Sequence, residues 1–119
     1  MDRHDDFFLA WLARDARFQS SIHFSPKHRL GYKVHRKVYT SMEDEPLLNL
    51  WLASKGVHGR VLRNKEQIQK VLSLLAPVWE AVKDRGNLQK LLVAMDAPTA
   101  RKMNHGDIAD LVRQFEEIV

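Results

Sequence analysis

The sequence predicts an α+β domain, with a small antiparallel sheet set between a leading helix and a run of trailing helices. Three observations carry that expectation. Residues 8–16 place large apolar and small side chains at helical spacing. The stretches Phe18–Phe24 and Gly31–Thr40 alternate with period two and are joined by a short turn containing Pro26. From Lys65 onward, apolar residues recur at helical spacing, with breaks at Pro77 and Pro98.

The leading helix holds Phe8, Leu9, Trp11 and Leu12 as its large apolar residues. Ala10, Ala13 and Ala16 recur every three residues, so small side chains line one side and permit close approach of another helix. Asp15 falls near the C-terminal end, where the helix dipole disfavours an anion. An acid there needs a function or a compensating local bond.

In the first strand, Phe18, Ser20, Ile22 and Phe24 share one face, and Gln19, Ser21 and His23 share the other. Ser25–Arg29 is a polar turn. In the second strand, Tyr32, Val34, Arg36 and Val38 alternate with Lys33, His35, Lys37 and Tyr39. The hairpin's open face would then carry Gln19, Ser21, His23, Lys33, His35 and Lys37. Such a mixture suits phosphates and base edges together; a solvated sheet face is the simpler alternative.

Ser41 is the expected N-cap of the next helix, with Asp44 three residues on and Glu43 and Glu45 in its first turn. Leu47, Leu48, Leu50, Trp51 and Leu52 fill that helix, and Lys55-Gly56 ends it. Residues 57–63 read as a short third strand. Arg63-Asn64-Lys65 then passes directly into helix, with no room for a fourth strand. Further helices are expected over Lys65–Leu75, a short piece at Val78–Val82, Asn87–Met95, and a last one after Asn104.

Length and composition fit one domain over residues 1–119 with a modest core. The absence of cysteine excludes disulfides and thiolate metal sites. No apolar run reaches the roughly 18 residues of a membrane span. The acidic opening Met1–Asp6 does not suit a secretory signal. These features lead to the expectation of an intracellular protein, in cytoplasm or an organelle nucleoid, without a membrane partner. Charge is unevenly spread: residues 17–65 hold ten Lys/Arg (17, 27, 29, 33, 36, 37, 55, 60, 63, 65) against three acids (43, 44, 45). A basic middle between near-neutral ends points to a polyanion partner.

Residues 8–18 resemble, in register, the LAGLIDADG motif of homing endonucleases with its following Ser-Phe. The resemblance extends loosely through Leu30-Gly31-Tyr32-Lys33-Val34, the Lys-Gly-Val-x-Gly-Arg-Val stretch at 55–61, Leu75–Trp79 and Asn87–Leu92. It implies an αββαβ(β) domain: a motif helix over about 4–16, sheet and helix over 17–63, and C-terminal helices over 65–119. It further implies a homodimer through Leu9, Ala10, Ala13, Arg14 and Ala16, with double-stranded DNA against the sheet. Asp15 would be the catalytic acid and metal ligand, binding Mg²⁺ if the protein cuts DNA. The family's active-site lysine falls near Val82, which makes Lys83 the adjacent candidate.

The candidate DNA-binding residues are Gln19, Ser21, His23, Lys27, Arg29, Lys33, His35, Lys37 and Arg60. Lys33, Lys37 and Arg60 would hold phosphates, while Gln19 and His35 would read bases. The sequence also departs from the motif. Alanines replace its glycines, Ala13 removes its first acid, and Arg14 stands where a small residue belongs at the helix crossing. Two alternatives remain: a non-catalytic DNA-binding or regulatory protein on this scaffold, and a protein-interaction module whose basic face is incidental.

Overall fold

A computed structural model describes residues 3–118; Met1, Asp2 and Val119 lie outside it, and with them the ends of the expected domain and the first residues of the acidic opening. The chain forms α1 (Arg3–Asp15), β1 (Arg17–Phe24), β2 (Tyr32–Tyr39), α2 (Pro46–Ser54) and β3 (Val61–Leu62). There follow α3 (Lys65–Leu74), a 3-10 segment (Ala76–Ala81), α4 (Gly86–Asp96) and α5 (His105–Glu117). This is the expected α+β architecture. The three strands form one antiparallel sheet in the order β1-β2-β3.

Helix α1 and the residue that follows it bury Leu9, Leu12, Ala13 and Ala16 in the chain's own core. The helix's carbonyl-rich end is met by two arginines, as the dipole favours. Arg17 donates to the carbonyls of Arg14 and Ala16 at 3.0 and 2.9 Å. Arg85 donates to those of Ala13 and Ala16 at 2.6 and 3.2 Å.

The hairpin register pairs Arg17 with Tyr39, Gln19 with Lys37, Ser21 with His35 and His23 with Lys33. The alternate positions, Phe18, Ser20, Ile22, Val34, Arg36 and Val38, face the helices. Here Phe18 and Val38 join the main core with Leu12, Leu48, Ile68, Leu88 and Leu91. Ile22 and Val34 pack on a second cluster of Met103, Ile108 and Leu111. Gly31, at φ +79°, closes the turn, its amide bonded to the His28 carbonyl and its carbonyl to the Ser25 amide.

Two element boundaries differ from expectation. Helix α2 starts at Pro46, not at Ser41. Pro46 lacks an N–H and suits the first turn, and it holds Glu45 extended, so helix cannot begin earlier. Ser41 is instead buried, its hydroxyl donating to the Glu43 carbonyl. The third strand shrinks to Val61–Leu62, because Gly59 at φ +96° turns the chain just before it. Asn64 then caps α3 by accepting from the amides of Glu66 and Gln67. Asn104 and Asp107 cap α5 reciprocally.

Candidate nucleic-acid interface

Strand parity places eight side chains on the sheet face away from the helices: Arg17, Gln19, Ser21 and His23 on β1, and Lys33, His35, Lys37 and Tyr39 on β2. None is a carboxylate. The Ser21 hydroxyl lies 2.7 Å from the His23 Nε2. The His23 and His35 rings meet edge to face with centroids 4.6 Å apart. Burial pushes the His35 imidazole below its ordinary value, and His23, Lys33, Lys37 and His28 push it the same way. A neutral imidazole has one donor and one acceptor nitrogen, which suits base edges as well as phosphates. Lys37 is steered by Tyr39: its Nζ lies 3.3 Å from the phenol oxygen and 5.3 Å from the ring centroid.

Of the nine candidate DNA-binding residues, six share this face: Gln19, Ser21, His23, Lys33, His35 and Lys37. Lys27 lies exposed in the hairpin turn at the far end. Arg29 turns away from the face. Its Nη2 donates to the Ala100 carbonyl at 2.9 Å and to the Met103 carbonyl, a tie to the loop before α5. Arg60 is exposed beside the last strand and donates to the Met42 carbonyl at 2.9 Å. Arg17 and Tyr39 complete the face. Extending the period-two pattern back by one residue would have found Arg17.

The face runs into a hollow of about 560 Å³ at the end of α1, lined by Arg14, Arg17, Gln19, Tyr39, Arg85 and Asn87 among others. Arg85 gave no signal in the sequence; only the fold carries it to the end of α1. Lys83, the expected catalytic lysine, is not among the residues lining this hollow. It pairs instead with Glu80 at 2.7 Å.

Asp15 closes the same end of α1. Its Oδ2 accepts from the Trp11 indole at 2.9 Å, and its Oδ1 from the Arg14 Nε at 2.8 Å. The Arg14 hydrogen bond, with help from Trp11 and Arg17, holds its carboxyl below the usual range. Glu43 and Glu45 share a shallow depression with Asp15 and Arg17. Magnesium demands near-octahedral oxygen ligands at roughly 2.1 Å. Within one chain Asp15 supplies a single carboxylate, each oxygen accepting one N–H and keeping a second lone pair, and so only part of such a shell. Among the described residues, no three His, Asp or Glu side chains are grouped to hold a metal ion.

The expected dimer surface also needs correction. Leu9, Ala13 and Ala16 are only 3, 5 and 0 % exposed, because the chain's own sheet and helices cover them. A stripe of small residues packs as well inside a fold as between copies. Ala10 and Arg14 alone of the five face outward, beside Phe7, which is 63 % exposed.

The fold is that of a homing endonuclease. The chain matches the crystal structure of the homing endonuclease I-TnaI over 100 % of both chains, with a TM-score of 0.55 and 16 % sequence identity. At that identity the likeness is one of fold. No protein-family model matches the chain, and no curated protein matches it. Among the described residues, no helix is long and apolar enough to cross a membrane.

Proposed function

We propose that the protein binds double-stranded DNA on the open face of the hairpin. The observation that carries this reading is a face of eight side chains, three of them Lys or Arg and two His, with no carboxylate, on a homing-endonuclease fold. A two-stranded ribbon fits the major groove, which is roughly 12 Å wide. Arg17, Lys33 and Lys37 hold phosphates, and Gln19 and His35 reach base edges. The LAGLIDADG resemblance supports a homodimer that joins two such faces, with Phe7, Ala10 and Arg14 as the outward residues of α1. A DNA ligand fits an intracellular compartment.

The test is duplex affinity as a function of salt. Each phosphate contact contributes about −0.9 to the slope of log K against log salt. A steep negative slope is the expected result. A flat response means that the face does not hold phosphates, and a protein-interaction module takes its place.

A specific observation favours binding without cutting: Arg14 and Trp11 each donate to Asp15, so a metal ion there competes with an ion pair already formed. Supercoiled plasmid carrying the bound site should stay intact with Mg²⁺. Nicking that disappears in Asp15→Asn overturns this and makes Asp15 a metal ligand after all.

A further inference from the structure

Strand β2 is flanked unequally. On one side β1 pairs with all of it, Tyr32 through Tyr39; on the other, β3 reaches only Val38 and Tyr39. Backbone N–H and C=O groups alternate in direction along a strand, so the free ones can be identified. The Thr40 amide donates to the Arg60 carbonyl, toward the β3 side. By the same parity Arg36, Val34 and Tyr32 aim their backbone groups that way. The Ser20 hydroxyl donates to the His35 carbonyl, so the intervening residues face β1. Among the described residues, the edge-facing groups of Tyr32, Val34 and Arg36 have no backbone partner. Unmade ladder bonds of this kind are a template for a further strand.

There is open space beside them. A cavity of about 110 Å³ is lined by Lys33 and also by Tyr32, Val34 and Arg36. Lys33 belongs to the open face of the sheet, and the other three to its opposite face. A space that touches both faces of one strand lies along that strand's edge. Because β1 fills the other flank, it lies along the bare one. Ala100 and Met103, in the loop before α5, form its far wall. Besides Lys33, its basic residues are His28, Arg29 and Arg36, and no Asp or Glu lines it.

We propose that this edge receives an extended acidic segment of another protein, added as a strand alongside Tyr32–Arg36. The segment's backbone makes the missing ladder bonds. Its carboxylates, at alternate positions, lie beside Lys33 and His35, and its apolar side chains beside Tyr32 and Val34. The basic lining favours an acidic strand over a neutral one. A second copy's β2 is the poorer occupant, because it sets Lys33 and Lys37 against like charges. Lys33 is shared with the DNA reading, but the bare ladder groups are not, so the two rest on separate observations.

Titration of ¹⁵N-labelled protein with the capped peptide Glu-Val-Glu-Thr-Glu-Val-Glu, at physiological ionic strength and without nucleic acid, tests it. Saturable shifts over residues 31–37 and 99–103 are expected, with slowed hydrogen exchange at the Val34 and Arg36 amides. The same peptide N-methylated at alternate residues keeps its charges but loses its donors, and should bind at least about tenfold more weakly. Val34→Pro removes an edge donor and should weaken binding likewise. If that variant does not fold, Ala100→Trp, at an exposed position on the far wall, fills the space with β2 intact and should block the peptide. Equal binding by the N-methylated peptide, shifts centred on Gln19–His23, or binding that persists in Ala100→Trp overturns the proposal. Self-association that Ala100→Trp abolishes makes a second copy the occupant and overturns it too. Failure of the peptide to bind leaves the DNA reading standing, and a flat salt response with duplex leaves this one standing.

Discussion

The indole nitrogen of Trp11 donates to the carboxylate of Asp15 one helical turn later, at 2.9 Å. This bond answers the question of an acid at a helix C-terminus. An anion there opposes the dipole, yet Trp11 and Arg14 both stabilise it charged.

Asp15 should therefore show in the acid limb of stability. Its folded pKa lies below its unfolded value, so its contribution is full above about pH 3.9 and is lost as pH falls through the folded pKa. Tm measured against pH should fall less steeply in Asp15→Asn than in the wild type below about pH 4. Trp11→Phe, which removes the donor and keeps most of the ring, should cost about 1 kcal/mol by urea unfolding. Identical acid limbs in Asp15→Asn and wild type would show that the local bonds do not matter.

Lys33 and Arg29 lie four residues apart and should behave oppositely. Lys33→Ala and Lys37→Ala should weaken duplex binding and together reduce the salt slope by about 2, with little loss of stability. Arg29→Ala should leave the slope unchanged and destabilise by about 1 kcal/mol, because the carbonyls of Ala100 and Met103 at the α5 loop lose a charged donor. A reduced slope in Arg29→Ala would return that residue to the DNA contact set.

His35 gives DNA binding a pH dependence. Its imidazole titrates below the ordinary value, so in the free protein it stays neutral through the range where an unfolded histidine begins to protonate, near pH 6.5. Its contribution to stability is present above that pH and falls away as acid drives protonation. Phosphates on the face reverse the preference by stabilising the charged ring. Affinity should rise as pH falls from about 7.5 to 5.5, by at most about tenfold per unit for one proton taken up. His35→Gln should flatten the profile, as fluorescence anisotropy at several pH values would record.

Ala10 tests the pairing of two copies. Ala10→Arg places a long cation on the outward side of α1, away from the chain's own core. Sedimentation velocity should show a dimer in the wild type and a monomer in Ala10→Arg, with unchanged circular dichroism. A dimer that survives in the variant means the copies meet elsewhere.

The open face could be read from the sequence because a strand's period of two fixes side-chain parity from local information alone. Gln19 through Lys37 needed nothing else. The trailing helices were legible for the same reason, as were the Asn64 junction and the glycine stop at Gly56. Arg29 was not, since its partners lie 71 to 74 residues away and nothing local marks them. Ala13 and Ala16 were assigned to the wrong contact because small size permits close packing without naming the neighbour. Ser41 failed as a cap because Pro46 imposes its own start.

The two-residue β3 has a consequence for behaviour in solution. It pairs only with Val38 and Tyr39, so Tyr32 through Lys37 have no strand beside them on that side among the described residues. A bare flank of this kind templates aggregation, and charged side chains are the usual guard. Lys33 and Lys37 therefore keep one molecule's ribbon from adding to another's, and stripping both should lower solubility whether or not any nucleic acid is present.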